Sequence, residues 1–317
     1  MKKYAFIFPG QGAQYLGMGK DVFEEFFKAK EVFEQASEAL SLNLPQLIFQ
    51  GSKELLQQTK YSQIAIFTIS MALHAVLQDL YPQIKPYICA GLSLGEYAAL
   101  CAGGKMTLQE GIDLVIARGV YMQEVSEKQP GTLHVVLGLE EAQVASALQD
   151  LDEKVWIANL NCPGQVVISG SFTGLEKAGE GLKRYGAKRI IPLEVSGPFH
   201  SGLMQEAQDR LEQKIQQVNI LSSSTFVVMN VCGEKVEDPS KVKQYMVQQV
   251  TSPTRWAKTI QTIEASAPDL YIELGPGKTL CGMNKKIGVK PPSYGIENIQ
   301  ELYGLEKCLA QHHTHLG

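Results

Sequence analysis

The stretch Ala90-Gly91-Leu92-Ser93-Leu94-Gly95-Glu96-Tyr97-Ala98-Ala99-Leu100 places a serine between two glycines, in the pattern Gly-x-Ser-x-Gly. A short apolar run precedes it, and an Ala/Leu-rich segment follows it as far as Gly103-Gly104. This order predicts a buried strand, a sharp turn and a buried helix, with Ser93 strained on the turn and its hydroxyl above the sheet edge. The first N–H groups of the helix would then face any negative charge that develops beside the serine.

The serine pattern alone does not decide between catalysis and an ordinary turn. Gly-x-Ser-x-Gly also arises by chance in a chain with 29 glycines, so a turn bounded by glycines is the alternative. The strand before the pattern and the small-residue helix after it favour a catalytic serine, because a nucleophile elbow requires that context.

Length and composition indicate a globular chain that does not bind nucleic acid. Its 317 residues suffice for one large domain or two smaller ones, and 29 basic against 33 acidic residues leave no basic excess. The six cysteines form no Cys-x-x-Cys pair, which predicts a reduced, cytoplasmic protein without a metal site. The apolar run at residues 4–8 is too short for a signal peptide.

Residues 61–78 carry no charge and are long enough to suggest a membrane span. The segment nevertheless contains several polar side chains, namely Ser62, Gln63, Thr68, Ser70, His74 and Gln78. We therefore expect a buried helix of a globular protein and no contact with a membrane.

Apolar spacing predicts a strand at 4–8, helices at about 20–40 and 61–80, and a helix from 107 to 125 that Thr107 and Glu110 cap. Between 130 and 195 the predicted order is β-α-β-β-α-β, with strands at 132–139, 155–159, 165–169 and 188–195 and helices at 140–148 and 173–185. That order is typical of a ferredoxin-like unit. A helix at about 201–219 and strands at 225–230 and 271–274 follow.

The fold prediction is therefore α/β, with two subdomains. Residues 1–128 and 196–317 would form an α/β-hydrolase-like catalytic subdomain, and residues 129–195 an inserted ferredoxin-like subdomain. The chain order of serine before histidine fits the α/β-hydrolase pattern.

Two glycine-rich loops and one histidine-rich tail are candidate binding sites. Pro9-Gly10-Gln11-Gly12 is no dinucleotide fingerprint, because Tyr15 stands at the third glycine position. Gly275-Pro276-Gly277-Lys278-Thr279 imitates the end of a P-loop, but Ile272 stands where the first glycine is required. For His312-His313-Thr314-His315 we prefer a frayed tail to a weak metal site.

A serine hydroxyl needs a base, and elimination among six histidines leaves one candidate. Three histidines lie in the tail, His74 lies inside the uncharged helix as a satisfied core residue, and His134 lies in a strand, where packing or an edge position is expected. His200 remains, in a Gly-Pro loop after a predicted strand, where α/β sheets place reactive groups. Either an acid or a backbone carbonyl would orient its ring.

Arg118 lies on an apolar helical stripe with Leu114, Tyr121, Met122 and Val125. A guanidinium there needs a carboxylate or other acceptors. The residues alone leave two alternatives open. One is an internal salt bridge or a snorkelling side chain, and the other is a bidentate grip on a substrate carboxylate.

Seven motifs together resemble the malonyl-CoA:acyl-carrier-protein transacylases of bacterial fatty acid synthesis, over residues 4 to about 285. They are Phe8-Pro9-Gly10-Gln11-Gly12-Ala13-Gln14, Gly91-Leu92-Ser93-Leu94-Gly95-Glu96-Tyr97, Ala117-Arg118-Gly119, Asn161-Cys162-Pro163-Gly164-Gln165-Val166-Val167-Ile168-Ser169-Gly170, Gly197-Pro198-Phe199-His200-Ser201, Ser252-Pro253-Thr254-Arg255-Trp256 and Glu273-Leu274-Gly275-Pro276-Gly277. The sequence departs from the family at Leu92, where many relatives have histidine, and at His134, where relatives tend to have a small apolar residue.

The resemblance implies a role for each of five residues at the chemical centre. Ser93 would be the nucleophile and His200 the base, with the backbone carbonyl of Gln249 holding the histidine ring. The backbone N–H groups of Gln11 and Leu94 would form the oxyanion hole. No catalytic aspartate is then required.

The resemblance also implies the substrates and partners. Arg118 would grip the free carboxylate of a malonyl group, which would pass from malonyl-CoA through Ser93 to the phosphopantetheine thiol of acyl carrier protein. No cofactor is expected, and the protein is expected to be a monomer. Because carrier proteins are acidic, a basic surface near the cleft is needed, and Lys285, Lys286 and Lys290 are the candidate residues.

Two rival functions use the same residues differently. A serine hydrolase, such as a thioesterase or esterase, would turn over rapidly with water and would not need Arg118. A catalytically idle acyl-binding or carrier-docking protein would bind CoA without forming a covalent adduct. The joint presence of Ser93, His200 and Arg118 argues against the idle protein.

Overall fold

The computed structural model describes residues 2–149 and 151–311. Its strands are β1 (Tyr4–Phe8), β2 (Pro86–Gly91), β3 (Gly131–Leu137), β4 (Val155–Cys162), β5 (Gln165–Ser171), β6 (Arg189–Pro192), β7 (Phe226–Met229), β8 (Glu234–Lys235), β9 (Leu270–Leu274) and β10 (Ser293–Ile296). Its helices are α1 (Lys20–Glu25), α2 (Phe27–Leu40), α3 (Leu44–Gln50), α4 (Lys53–Gln57), α5 (Thr59–Leu80), α6 (Gly95–Ala102), α7 (Leu108–Lys128), α8 (Glu141–Gln149), α9 (Phe172–Arg184), α10 (Gln205–Ile215), α11 (Pro239–Gln248), α12 (Trp256–Glu264), α13 (Thr279–Ile287) and α14 (Ile299–Gln311).

The larger sheet has six strands in the order β10-β9-β1-β2-β7-β8, and all its pairs are parallel except β7–β8. Alternate side chains of β1 enter different cores, with Phe6 and Phe8 on one face and Ala5 and Ile7 on the other. Both faces are therefore buried, which explains why these strands are apolar without alternation. The prediction of a mixed α/β fold is confirmed.

The smaller sheet has four antiparallel strands in the order β4-β5-β3-β6. It carries α8 and α9 on a core of its own, which includes Val136, Ile168 and Leu182. The predicted element order β-α-β-β-α-β is found. Two backbone hydrogen bonds join β4 of the smaller sheet to the segment that precedes α12. Thr254 N–H donates to the carbonyl of Ala158, and Leu160 N–H donates to the carbonyl of Thr254, each at 2.9 Å.

The long apolar helix α5 lies inside the larger core. By length and composition it is the one helix in the described ranges that could cross a membrane, yet 72% of its most apolar window is buried inside the protein. It packs against α2 and α7. The expectation of a buried helix is confirmed.

Three predicted elements and one predicted position need correction. The helix at 20–40 is interrupted at Phe26, which is extended (φ −107°, ψ 127°) and turns its ring toward Tyr303 at 6.4 Å. The strand at 188–195 ends at Pro192, because the chain beyond it turns to line a cavity. The helix at 201–219 is a short 3₁₀ turn followed by α10. His134 lies in β3, which pairs on both sides, so an edge position is wrong.

The turn between β2 and α6 is as sharp as the serine pattern predicts. Ser93 has φ 52°, a left-handed conformation that is strained for any residue with a Cβ. A Cβ added at Gly91 would lie 1.9 Å from the carbonyl carbon of Gly95, and one at Gly95 would lie 2.2 Å from the carbonyl oxygen of Phe8. The strand end and the helix start are therefore in backbone contact, and only glycine fits at both positions.

We expect Gly95→Ala to lower the free energy of unfolding by about 1–3 kcal/mol, because its methyl group would overlap backbone that cannot move aside. Gly282→Ala is the matched control, since a Cβ there would meet nothing within 4 Å in helix α13. That change should stabilise the protein by up to about 1 kcal/mol. Urea unfolding of both variants measures the difference, and equal stabilities would contradict the packing argument.

Candidate active site

Three neighbouring strands deliver polar groups to one edge of the larger sheet. The chain passes from β1 into Pro9-Gly10-Gln11, from β2 into Ser93, and from β7 into Asn230. The carboxyl ends of parallel strands share an edge, which is where α/β sheets place ligand sites. The groups that follow β1 and β2 border a cavity of about 290 Å³ between the larger sheet and the smaller one. Apolar side chains of the smaller sheet cover it, including Leu133, Val135 and Val167.

Ser93 and His200 are in hydrogen-bond contact, with Oγ and Nε2 separated by 2.7 Å. The other ring nitrogen, Nδ1, lies 2.9 Å from the carbonyl oxygen of Gln249 and 3.1 Å from that of Ser252. Both of these partners only accept, so Nδ1 carries the proton and Nε2 is free to accept from the serine hydroxyl. The sequence left open whether an acid or a backbone carbonyl orients the His200 ring. In the structure, backbone carbonyls hold it.

Burial lowers the pKa of His200 to about 4, and the positive charge of Arg118 acts in the same direction. The two carbonyl contacts oppose this shift but do not cancel it. The imidazole is therefore neutral at physiological pH, the form that a general base needs. His200 itself has φ 56°, a strained conformation like that of Ser93.

Arg118 is fully buried, with 1% of its surface exposed. Its guanidinium donates to Gln63 Oε1 at 2.8 Å, to Gln249 Oε1 at 3.0 Å and to Ser93 Oγ at 3.0 Å. No carboxylate in the described ranges lies within ion-pair distance of it, so the alternatives of an internal salt bridge and a snorkelling side chain are not found. A buried cation next to the serine thus has neutral partners only.

The two backbone N–H groups expected to form an oxyanion hole lie beside the serine. Gln11 lines the cavity, and Leu94 directly follows Ser93 at the start of α6. Within the described chain, neither N–H donates to another protein group. Both are thus available to an oxygen of a bound ligand.

Sequence reasoning missed four residues of this site. Gln63 holds Arg118, and its amide N–H lies 3.3 Å from Gln11 Oε1. Asn230 accepts from the Ser93 N–H at 2.7 Å, Glu96 contacts Asn230 and Gln249, and Ser252 shares the histidine proton. The sequence shows Gln63 only as a polar residue in the apolar helix. No spacing pattern could have revealed the roles of Asn230, Glu96 and Ser252.

The remaining candidate histidines lie elsewhere. The ring of His74 packs edge-on against Phe6 in the core, but its Nε2 has no hydrogen-bond partner within the described chain, so it is packed rather than satisfied. The prediction for the tail at 312–315 lies outside the described residues.

Comparison with known proteins places this geometry in one family. Residues 5–291 match the family model described as acyl transferase domain. A malonyl CoA-acyl carrier protein transacylase of Bacillus subtilis (strain 168) is 40% identical over 290 residues, which cover 90% of this chain and 91% of that protein. A malonyl CoA-acyl carrier protein transacylase structure from Clostridium perfringens superposes with TM-score 0.92 at 37% identity, covering 98% of each chain.

One similar structure contains a partner protein. It is the complex PlMCAT:AntF (holo), a type II PKS acyl-carrier protein with its malonyl-transacylase. This chain superposes on it with TM-score 0.91 at 34% identity, covering 96% of this chain and 99% of that one.

We expect the reactivity of Ser93 toward phenylmethylsulfonyl fluoride to stay nearly constant between pH 8 and pH 5.5. Attack requires the neutral imidazole, so the rate rises with pH through the pKa of His200, about 4, and is flat above it. A base with an ordinary histidine pKa would lose about tenfold between pH 7.5 and pH 5.5. Intact mass spectrometry of the sulfonyl adduct gives the rates, and a midpoint near pH 6.5 would contradict the assignment.

Proposed function

The chain belongs to the acyl transferase domain family, and on that premise we propose that it moves the malonyl group of malonyl-CoA to the phosphopantetheine thiol of acyl carrier protein, in fatty acid biosynthesis. The observation that carries the proposal is a buried Arg118 that pairs with no carboxylate of the described chain and lies within hydrogen-bond distance of a serine that contacts its base. The transfer runs through a malonyl-serine ester in two half-reactions, a ping-pong scheme.

In the first half-reaction, His200 Nε2 takes the proton of Ser93 Oγ while the oxygen attacks the thioester carbonyl of malonyl-CoA. The carbonyl oxygen becomes negative and is bound by the N–H groups of Gln11 and Leu94. In comparable sites one such donor is worth about 3 kcal/mol in the transition state. The carbon–sulfur bond then breaks, and His200 returns the proton to the departing CoA sulfur.

In the second half-reaction, the pantetheine thiol of the carrier gives its proton to His200 and its sulfur attacks the malonyl-serine ester. Ser93 leaves and recovers the proton from His200. The acceptor must outrun water, which a shielded site and a positioned thiol make possible. The apolar side chains of the smaller sheet over the cavity support this shielding.

Arg118 selects the acyl group by its charge. Its hydrogen-bond partners in the described chain are two amide oxygens and the serine hydroxyl, none of which neutralises a guanidinium. A malonyl carboxylate would supply the missing negative charge in bidentate geometry. An acetyl group would leave the buried cation unpaired and would therefore be disfavoured.

Lys285, Lys286 and Lys290 stay a prediction for the carrier-docking surface. All three side chains are exposed, and the first two lie in the last turn of α13, whose residues Leu280 and Met283 line the cavity. A basic surface at that place would meet an acidic carrier close to the entrance of the site.

The finer fold description belongs to the same proposal. We describe residues 1–128 and 196–317 as α/β-hydrolase-like and residues 129–195 as ferredoxin-like, and the strand orders of the two sheets support this description. A cytoplasmic monomer that works without a cofactor, a membrane or nucleic acid is the state in which we expect the enzyme to act.

Intact mass after mixing the protein with malonyl-CoA, with no acceptor present, tests the function. We expect a malonyl adduct on the wild type, none on Ser93→Ala, and loss of the adduct when holo-carrier protein is added. An adduct that water removes within seconds would favour a hydrolase. Absence of an adduct from the wild type would contradict the proposed transfer.

We expect Arg118→Met to lower kcat/KM for malonyl-CoA by about thirtyfold to several thousandfold, because truncating a buried charge partner costs about 2–5 kcal/mol. The preference for malonyl-CoA over acetyl-CoA should shrink at the same time. Arg210→Met is the matched control, since Arg210 stacks on Tyr121 at 4.0 Å and pairs with Glu124 on the surface. An unchanged malonyl-to-acetyl ratio in Arg118→Met would contradict the role of this residue.

A further inference from the structure

Glu96 is a buried carboxylate that the mechanism above does not use. It lies in the first turn of α6, three residues after Ser93, and none of its surface is exposed. One carboxylate oxygen, Oε2, accepts from the backbone N–H of Asn230, and the other, Oε1, accepts from the side-chain amide of Gln249 at 2.8 Å. Glu96 does not border the cavity, so it does not touch a bound acyl group, and its hydrogen bonds reach the site through these two partners.

The two amide side chains around Glu96 each have one possible orientation. Gln249 accepts from Arg118 through Oε1 and donates from Nε2 to the Ser93 carbonyl at 2.9 Å. Asn230 accepts from the Ser93 N–H and donates to the Gly91 carbonyl, both at 2.7 Å. Exchanging nitrogen and oxygen in either amide would set donor against donor and acceptor against acceptor.

Both oxygens of Glu96 therefore face N–H groups. Burial raises the pKa of Glu96 to about 8, while the bond from Asn230, the charge of Arg118 and the bond from Gln249 act in the opposite direction. These contributions leave the carboxyl group largely protonated at neutral pH, and in either protonation state each oxygen keeps a lone pair for its N–H donor, so both contacts persist.

We propose that Glu96 is a positioning residue that holds the strained serine in its reactive conformation. Through Asn230 it fixes the N–H of Ser93, and through Gln249 it fixes the carbonyl of Ser93 and one arm of Arg118. The same Gln249 contributes the carbonyl that orients His200. One carboxylate thus connects nucleophile, base and cation, and this inference rests on the proposed transfer at Ser93.

The conformation of Ser93 explains why such a clamp is needed. A serine at φ 52° relaxes unless its neighbouring peptide groups are held, and both of them are held by partners of Glu96. Relaxation would move Oγ away from His200 Nε2, now 2.7 Å distant. A displacement of about 1 Å in such a pair costs about a hundredfold in rate.

The experiment compares Glu96→Gln with Glu110→Gln. Glu110 is also a carboxylate that accepts two backbone N–H groups, from Thr107 and Asn219, but it caps the distant end of α7 and does not border the cavity. In each folded variant, the rate of Ser93 sulfonylation by phenylmethylsulfonyl fluoride and the rate of malonyl adduct formation are measured and divided by the folded fraction.

We expect Glu96→Gln to lower both rates by about tenfold to a hundredfold, since its amide would oppose one of the two donors. Glu110→Gln should leave both rates unchanged. A merely structural Glu96 would lower stability without changing the rate per folded molecule, so a sulfonylation rate within twofold of the wild type overturns the proposal. Sulfonylation needs no acyl carboxylate, so it still tests Glu96 if the wild type forms no malonyl adduct and the proposed transfer fails.

The variant Asn230→Ala keeps the test valid if Glu96→Gln does not fold. This change removes the side-chain oxygen that accepts from the Ser93 N–H, while the backbone N–H of residue 230 remains to donate to Glu96. We expect this protein to fold and to react with phenylmethylsulfonyl fluoride at least about tenfold more slowly than the wild type. A folded Asn230→Ala variant that reacts within twofold of the wild-type rate overturns the proposal.

Discussion

The end of strand β2 touches the start of helix α6 with no side chain between them, and the site depends on this contact. Gly91 and Gly95 leave the two backbones so close that a methyl group at either position would overlap main-chain atoms. The chain can pass between them only through a left-handed residue, and Ser93 takes that conformation. Because β1 lies directly beside β2, the same contact places Gln11 next to the serine and exposes the first N–H groups of α6 to it.

A single buried positive charge serves two purposes in this site. Arg118 donates to Ser93 Oγ, and its charge also helps to lower the pKa of His200. Under the proposed function, the side chain that helps to keep the base neutral would also recognise the anionic acyl group. A site of this kind needs amides around the cation, because a carboxylate in contact with it would occupy the position that the acyl group needs. Gln63 and Gln249 meet that requirement.

Residues whose chemistry is marked by a local pattern could be predicted from the sequence. The glycine-bounded serine, the loop histidine and the arginine on an apolar stripe each stand out, and strand β1 and the capped helix α7 follow from composition and caps. The connecting residues could not be predicted. The contacts that give Asn230, Glu96 and Ser252 their roles are with parts of the chain that are distant in sequence. No spacing pattern in the sequence indicates such a role for an amide or a carboxylate in a helix or loop.

The same limit applies to element boundaries. At the interruption of the first long helix, Phe26 is extended and its ring contacts Tyr303 of α14, and no local propensity at Phe26 marks this break. Beyond the early end of β6, Leu193 and Val195 line a cavity whose walls also include side chains of β3, β4 and β5. Alternation and capping predicted which elements exist, whereas tertiary packing decided where they end.

Strand β1 is the first element of the chain, yet one of its two neighbours in the sheet is β9, where Tyr4 pairs with Leu270. A growing polypeptide leaves the ribosome from its N-terminus, at about 5–20 residues per second. The central strand therefore waits for nearly the whole chain to be synthesised before its second edge is paired, and long-range pairing of this kind folds slowly. Until then the sheet beneath the serine is unfinished, so we expect Ser93 and His200 to reach their reactive arrangement only late in synthesis.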